Sequence, residues 1–226
     1  MKVVLFGGSG MVGQGVLREC LRDERVTSVV SVGRRPLDVT HPKLRHTVHP
    51  DLSDLTAIAG ELTGTDACFH CLGATSAGRS EEEYRRVNHT FPLAAARAVE
   101  RVSPGATFVY VSGEGADPTG TSRTMWARVR GETENDLLAT DLHTYVFRPG
   151  YIAPRHGERS RTGSYRLVYT LTSWTYPLLR RVLPAHVSST ENIGRAMLAT
   201  VALGGAGPHV LHSAEINRLG EAAGPE

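Results

Sequence analysis

Gly7, Gly10 and Gly13 stand three residues apart in the stretch Phe6-Gly7-Gly8-Ser9-Gly10-Met11-Val12-Gly13, a spacing that suits a chain wrapped around a diphosphate. The wrap needs glycine for the tight turn, for close backbone approach to the phosphates, and for packing the following helix near the preceding strand. A helix starting at Met11 would present unpaired N–H groups and the positive end of its dipole to those phosphates. Ser9, Met11 and Val12 therefore join the three glycines as candidate cofactor contacts. About twenty residues beyond such a motif, a carboxylate would grip a ribose 2′-hydroxyl and favour NAD. Here Arg34 and Arg35 occupy that place, and guanidinium forks match a 2′-phosphate. The expected cofactor is NADP(H). Asp51 and Leu52 follow a later short apolar run, where a carboxylate can accept from an adenine amino group.

The elements that must position these residues can be read from periodicity. Val3 to Phe6 is a short apolar run closed by glycines, which predicts a buried strand. Met11, Val12, Val16, Leu17, Cys20 and Leu21 recur at three-to-four spacing and predict a helix with one apolar face. Further strands are expected at Thr27–Val32, Leu44–Val48, Ala67–Leu72, Thr107–Val111 and Thr144–Phe147, with helices at Glu81–Val102, Trp126–Leu138 and Thr190–Leu203. The last of these would be opened by Thr190 as its N-cap. Strands alternating with helices imply right-handed crossovers and a doubly wound, mostly parallel α/β sheet of the Rossmann type. The expectation is one domain over residues 1–226, with a small helical C-terminal cap over 151–190. Arg155 to Ser164 reads as a loop, Tyr165 to Leu183 as an aromatic-rich helix, and the tail after Arg218 as frayed.

On these motifs the chain resembles the short-chain dehydrogenase/reductase superfamily, in its atypical NAD(P)-binding, epimerase-like branch. The likeness runs from Met1 to about Leu203. It is carried by Gly7 to Gly13, the arginines after the second strand, Asp51-Leu52, Cys71-Leu72-Gly73-Ala74, Val87-Asn88, Val111-Ser112-Gly113 and Arg148-Pro149-Gly150. The resemblance implies that Leu72, Gly73 and Ala74 lie along the cofactor, that Asn88 supports the active site, and that Pro149 and Gly150 border the nicotinamide.

It also implies a tyrosine proton donor four residues before a lysine on one helical face, and here the chain departs. Trp126 stands where the tyrosine is expected and Arg130 where the lysine is expected. All seven tyrosines lie at Tyr84 or later, and the only lysines are Lys2 and Lys43. No Tyr-x-x-x-Lys exists in the chain. An indole N–H donates a hydrogen bond but is no useful acid, and a guanidinium keeps its proton near neutrality. Arg130 can still bind the nicotinamide ribose. Ser112 reads either as a polar contact to substrate or as a strand-end turn residue. Tyr151, directly after Pro149-Gly150, is the first candidate for a replacement acid, with Tyr84 and His89 behind it. Tyr165, Tyr169, Trp174 and Tyr176 form an aromatic set in the cap that suits core packing, or else an apolar or aromatic substrate.

Composition excludes several classes. The chain has 226 residues, 40% hydrophobic, with a net charge of +2, which disfavours nucleic-acid binding by bulk charge. No apolar run reaches the roughly 18 residues of a membrane span. Three cysteines make no disulfide framework, and Cys68-x-x-Cys71 inside a strand sends its thiols to opposite faces. His209-x-x-His212 lacks a nearby partner, so no metal is expected. A short apolar start without a cleavage pattern points to the cytoplasm. Residues 165–182 would serve as a substrate lid or a subunit contact, so an oligomer is compatible. The leading expectation is an NADP(H)-dependent reductase or dehydrogenase of an unknown carbonyl or alcohol. The alternatives are an NADP(H)-binding regulatory or scaffold protein and a non-redox isomerase, dehydratase or cyclase.

Overall fold

Residues 1–158, 183 and 185–224 are described by a computed structural model of the chain. The apolar runs become β1 (Lys2–Phe6), β2 (Ser28–Gly33), β3 (Leu44–Val48), β4 (Ala67–His70), β5 (Thr107–Val111) and β6 (His143–Arg148). Tyr151–Ala153 (β7) and Val187–Ser189 (β8) pair as a separate two-stranded sheet, and β9 (Val210–His212) returns to the main one. The main sheet has seven strands in the order β3-β2-β1-β4-β5-β6-β9, each neighbouring pair parallel. The order reverses direction at β1 and β4, whose carboxyl ends therefore open a crevice.

The helices are α1 (Met11–Arg22), the short α2 (Ala59–Leu62), α3 (Glu81–Arg85), α4 (Phe91–Val102), α5 (Met125–Leu138), α6 (Thr190–Leu203) and α7 (Ser213–Ala222). Period-two alternation along the strands divides the core between the sheet's two faces. Val4, Phe6, Cys68, Phe108 and Tyr110 meet Val99 and Leu137 from α4 and α5. Val3, Leu5, Phe69, Val109 and Phe147 meet Val16, Ile193, Met197 and Ile216 from α1, α6 and α7. Each such large side chain contributes roughly 1.5–3 kcal/mol on burial. Cys68 lies in one cluster and Cys71 packs on the other, so the two thiols face apart as their spacing predicts.

The structure differs from expectation in five places. Strand β4 ends at His70, leaving Cys71 and Leu72 in the loop beyond it. Residues 81–102 are three pieces, because a π-helical turn, Arg86–Thr90, joins α3 to α4. Ser189, not Thr190, caps α6, its hydroxyl accepting from the Asn192 N–H at 3.0 Å. Past Arg218, where fraying is expected, α7 runs on to Ala222, and β9, three residues too short for periodicity to register, joins the sheet beside β6. The described residues of the C-terminal third consequently add strands and covering helices to the fold. Tyr165, Tyr169, Trp174 and Tyr176, with most of the expected cap, lie outside the described residues.

Helix α6 crosses α1 at close range, and glycine is what permits it. An ideal Cβ on Gly15 would stand 2.5 Å from Thr190 Cβ, and one on Gly194 would stand 2.8 Å from Glu19 Cγ. Arg195 then reaches Glu19 (3.0 Å) and Glu191 (2.6 Å). We expect Gly15→Ala to cost about 1–3 kcal/mol by overpacking. Gly60→Ala on α2, where a Cβ meets nothing within 4 Å, should be neutral or stabilise by up to about 1 kcal/mol. Thermal unfolding of the pair checks the contrast; equal midpoints would refute it.

Candidate active site

The crevice is built by backbone before any side chain enters it. Gly7 has φ +82°, and a Cβ there would fall 2.5 Å from the Leu72 backbone nitrogen. At Gly13 a Cβ would collide with Gly7 O at 2.1 Å. These two glycines are thus demanded by the protein itself. Gly10 is not: it has φ −83°, and its Cβ would meet only Gly7 O, at an ordinary 3.4 Å. The space above Gly10 is open, as a diphosphate would require. Gly10 is also the N-cap of α1, with no side-chain cap and no acidic residue in the first turn. The Ser9 carbonyl accepts from Gln14 Nε2 at 3.1 Å, while Met11, Val12 and Gly13 open the helix.

Arg34 and Arg35 follow β2, both exposed, and neither has an ion pair among the described residues. Their segment is tied to the glycine loop, since an ideal Cβ on Gly8 would touch Leu37 Cδ1 at 3.0 Å. Asp51 is exposed, accepts from the Ser53 hydroxyl and N–H (2.6 and 3.0 Å), and stands 3.6 Å from Arg86. The Ser53 hydroxyl leads in holding its carboxyl below the usual range. Leu52 is buried beneath it.

On the other side of the crevice the loop after β4 carries Leu72, Gly73 and Ala74, and Asn88 holds it from behind. Asn88, 1% exposed on the π turn, accepts from the Ala74 N–H at 3.1 Å and donates to the Tyr84 carbonyl at 3.0 Å. It fixes the loop rather than facing the crevice. The Asn88 carbonyl in turn accepts from the hydroxyls of Tyr110 (3.1 Å) and Thr133 (3.0 Å). Burial pushes the Tyr110 phenol up to about 12.

Arg130 lies under both loops. An ideal Cβ on Gly113 would be 3.2 Å from its Nη1, and one on Gly73 3.9 Å from its Nη2. Its Nε donates to the Tyr84 phenol at 3.0 Å. Burial opposes its charge, but the phenols of Tyr110 and Tyr84 and the Glu134 carboxylate outweigh that and hold it above the ordinary value. Trp126 turns the edge of its indole toward the next turn, its Cη2 3.0 Å from where Gly115 (φ +87°) would carry a Cβ.

Ser112 is where sequence reasoning missed a partner. Its hydroxyl donates to Glu134, a carboxylate 1% exposed, and Arg148 Nε donates to both Glu134 oxygens at 3.1 and 3.0 Å. Glu134 lies in the polar run Gly131-Glu132-Thr133-Glu134-Asn135-Asp136, and only its helical phase, four residues after Arg130, would have turned it inward. Pro149 is buried beside this cluster, and Gly150 donates its N–H to Ser213 Oγ at 3.0 Å.

Of the expected acids, Tyr84 is buried at 1% exposure behind Arg130. Tyr151 is half-buried against Ala153 and Val187. His89 Nε2 donates to Asp136 Oδ2 (2.9 Å) beside Glu132, on the outer flank of α4 and α5. There it lines a cavity of about 370 Å³ with Arg97, Arg101 and Asp54, a cavity that neither the glycine loop nor the Leu72–Ala74 loop lines. His89 does not belong to the crevice.

Residues 3–127 match the profile of the NAD-dependent epimerase/dehydratase family. The chain belongs to that family. A nicotinamide dinucleotide cofactor comes with membership. Protein fmp52, mitochondrial, of Aspergillus clavatus is 31% identical over 164 residues, which is 69% of this chain and 68% of that one. FMP52, mitochondrial, of Saccharomyces cerevisiae is 29% identical over 166 residues (72% and 69%), and HTATIP2 of Rattus norvegicus 28% over 166 (72% and 67%). The fold is also that of MoeE5 solved with UDP-glucose and NAD (TM-score 0.68, 20% identity, 93% of this chain and 75% of that chain). It is shared by Bordetella bronchiseptica WbmF solved with NAD⁺ (0.67, 17%, 98% and 78%). The cytoplasmic location expected from the N-terminus is corrected here, because the FMP52 relatives bear names that place them in mitochondria. The apolar start, Lys2–Phe6, is the first strand of the sheet and carries no information on location. No described helix is long and apolar enough to cross a membrane.

Two stability predictions follow from the buried polar groups at the carboxyl end of the sheet. Glu134→Gln leaves the Arg148 guanidinium without its countercharge and should cost about 3–5 kcal/mol, read as a lower urea midpoint. His70, fully buried and stacked on Phe6 (5.5 Å between centroids), has no partner on either ring nitrogen among the described residues. Burial pushes it down to about 3. Unfolded imidazole takes up a proton below about 6.5 and the folded one does not, so stability falls with pH in the window from about 6.5 to 3, by up to about 1.4 kcal/mol per unit. His70→Phe should flatten that acid limb in urea titrations between pH 7 and 4; an unchanged slope would refute the assignment.

Proposed function

We propose that the chain is an NADP(H)-dependent reductase or dehydrogenase acting on a small carbonyl or alcohol. The observation that carries this reading is the crevice at β1 and β4, open above Gly10 and flanked by Arg34 and Arg35. Gly7, Ser9, Gly10, Met11, Val12 and Gly13 would hold the diphosphate on the N-terminus of α1. Arg34 and Arg35 would clasp the 2′-phosphate, and Asp51 with Leu52 would border the adenine. Leu72, Gly73 and Ala74, held by Asn88, would line the middle of the cofactor, with Pro149 and Gly150 at its nicotinamide end.

When bound, the nicotinamide supplies or accepts the hydride, and the protein's part is positioning and field. Arg130 keeps Nη1 and Nη2 for the ribose hydroxyls, since among the described residues only its Nε is bonded, to Tyr84. Ser112 has committed its proton to Glu134, so it offers lone pairs and accepts from a substrate hydroxyl. Trp126, on the Gly115 turn, would wall the substrate space. The indole at the donor position also favours a second reading, an NADP(H)-binding regulatory protein that binds without turnover. A product of unchanged oxidation state would instead identify a non-redox isomerase, dehydratase or cyclase.

Calorimetric titration with NADPH and NADH distinguishes the nucleotides. NADPH should bind more tightly, and Arg34→Ala with Arg35→Ala should weaken it about tenfold or more while leaving NADH unchanged, because a charge-assisted bond is lost for the phosphate alone. Failure of either nucleotide to bind at millimolar concentration would overturn the function. Turnover of a carbonyl panel with NADPH then separates an enzyme from a binding protein.

A further inference from the structure

The crevice has hydride-transfer architecture without the family's tyrosine acid, and among the described residues of its floor Ser112 donates to Glu134, Tyr84 is buried, Tyr151 packs on Ala153 and Val187, and Arg130 and Trp126 are poor acids. An acid–base pair nevertheless stands at the same end of the sheet, on residues that sequence reasoning did not single out. Glu114 lies two residues after Ser112, and its N–H donates to the Pro149 carbonyl at 3.1 Å. Its Oε1 is 2.9 Å from Nδ1 of His186, the residue before β8. The His186 carbonyl accepts from the Tyr151 N–H at 2.9 Å, which fixes the histidine backbone across β7.

Gly150 lies between the two. An ideal Cβ there would fall 2.4 Å from the His186 carbonyl oxygen and 2.6 Å from Glu114 Oε2. The absence of a side chain at 150 is therefore what lets Glu114 and His186 meet. Any larger residue would push both away from the end of β6. The carboxylate engages Nδ1, and Nε2 has no partner among the described residues. The histidine side chain is 59% exposed, so water can exchange protons with it.

We propose that His186, oriented by Glu114, is the proton donor and acceptor of this site, in the role the family gives to its tyrosine. The proposal rests on the oxidoreductase reading above. A carboxylate on Nδ1 fixes the tautomer and the ring's orientation and leaves Nε2 to give and take the proton, the arrangement in which histidine works as a general acid and base. In the reducing direction, hydride adds to the carbonyl carbon and the C=O π pair moves onto oxygen. That oxygen takes the proton from His186 Nε2. A C–H and an O–H bond form and the N–H bond breaks; the carbonyl is reduced to an alcohol while the dihydronicotinamide is oxidised. The neutral imidazole regains its proton from solvent. In the oxidising direction the same nitrogen takes the alcohol proton. Ser112 accepts from the developing hydroxyl, and Glu114 is a positioning residue that acts through His186.

The test has one arm that needs no substrate. Diethyl pyrocarbonate carbethoxylates accessible imidazole, and peptide mass spectrometry reads the rate at His186 itself. With the whole chain, saturating NADPH should slow modification of His186 several-fold and leave unprotected His143, which starts β6 at the opposite, amino end of the sheet. The second arm uses whichever carbonyl compound the panel shows to be reduced. His186→Gln should lower kcat by about 10²–10⁴-fold while the calorimetric Kd for NADPH stays unchanged. Glu114→Gln should give a smaller loss and a shifted pH profile, with Glu114 the one charged group facing His186 among the described residues. Binding of NADPH without protection of His186, or wild-type turnover by His186→Gln, overturns this proposal alone. Failure of NADPH to bind overturns it together with the function on which it rests.

Discussion

Everything at the carboxyl end of the sheet depends on how near the β1 turn comes to its two neighbours. Gly7 approaches the Leu72 backbone so closely that no Cβ fits, and Gly13 stacks α1 on Gly7 with the same lack of room. Two backbones and a helix start are thereby locked together at the point where the strand order reverses. The crevice is the space left at the remaining glycine of the motif, Gly10, where a Cβ would meet nothing within 4 Å but the Gly7 carbonyl oxygen. A side chain at position 7 or 13 would move α1, and with it the dipole end that gives the crevice its affinity for anions.

Around this backbone frame the polar groups occupy two tiers. The lower tier is buried and mutually satisfied: Glu134 with Arg148 and Ser112, Arg130 with Tyr84, and the Asn88 carbonyl with Tyr110 and Thr133. These bonds tie the ends of β5 and β6 to α3, α5 and the π turn, so the loops above rest on a rigid floor. Buried ion pairs of this kind are weak evidence for stability, since desolvation offsets much of the attraction. Their value here is geometric, because each removes a rotor from the floor of the crevice. The upper tier is exposed and includes Arg34, Arg35, Glu114 and His186. Those side chains keep unused hydrogen-bonding capacity toward whatever enters.

The sheet was legible because its strands are short apolar runs ended by glycine or proline, a pattern governed by local physics. Gly7, Gly10 and Gly13 were legible for the same reason, strand, turn and helix being contiguous. Glu134 and His186 were not. Glu134 sits in a run of polar residues whose neighbours face water, and its partners come from positions 112 and 148, far away in the chain. His186 depends on Glu114 across a two-stranded sheet whose strands have only three residues each, too few to impose a period. His89 shows the converse error: the π turn that places Asn88 inward carries the next side chain to the outer flank. Single-residue phase decides such cases, and periodicity does not resolve it.

That turn has a geometric consequence. A π turn accommodates one more residue than an α turn, so α3 and α4 are offset by roughly 100° of helical rotation, one residue's share of 3.6 per turn. The offset works like a cam between two coaxial shafts. It lets Tyr84 point at Arg130 while Phe91 and Leu93 keep their contacts with the sheet. A helix spliced without the extra residue would have to choose between filling the core and supporting the guanidinium.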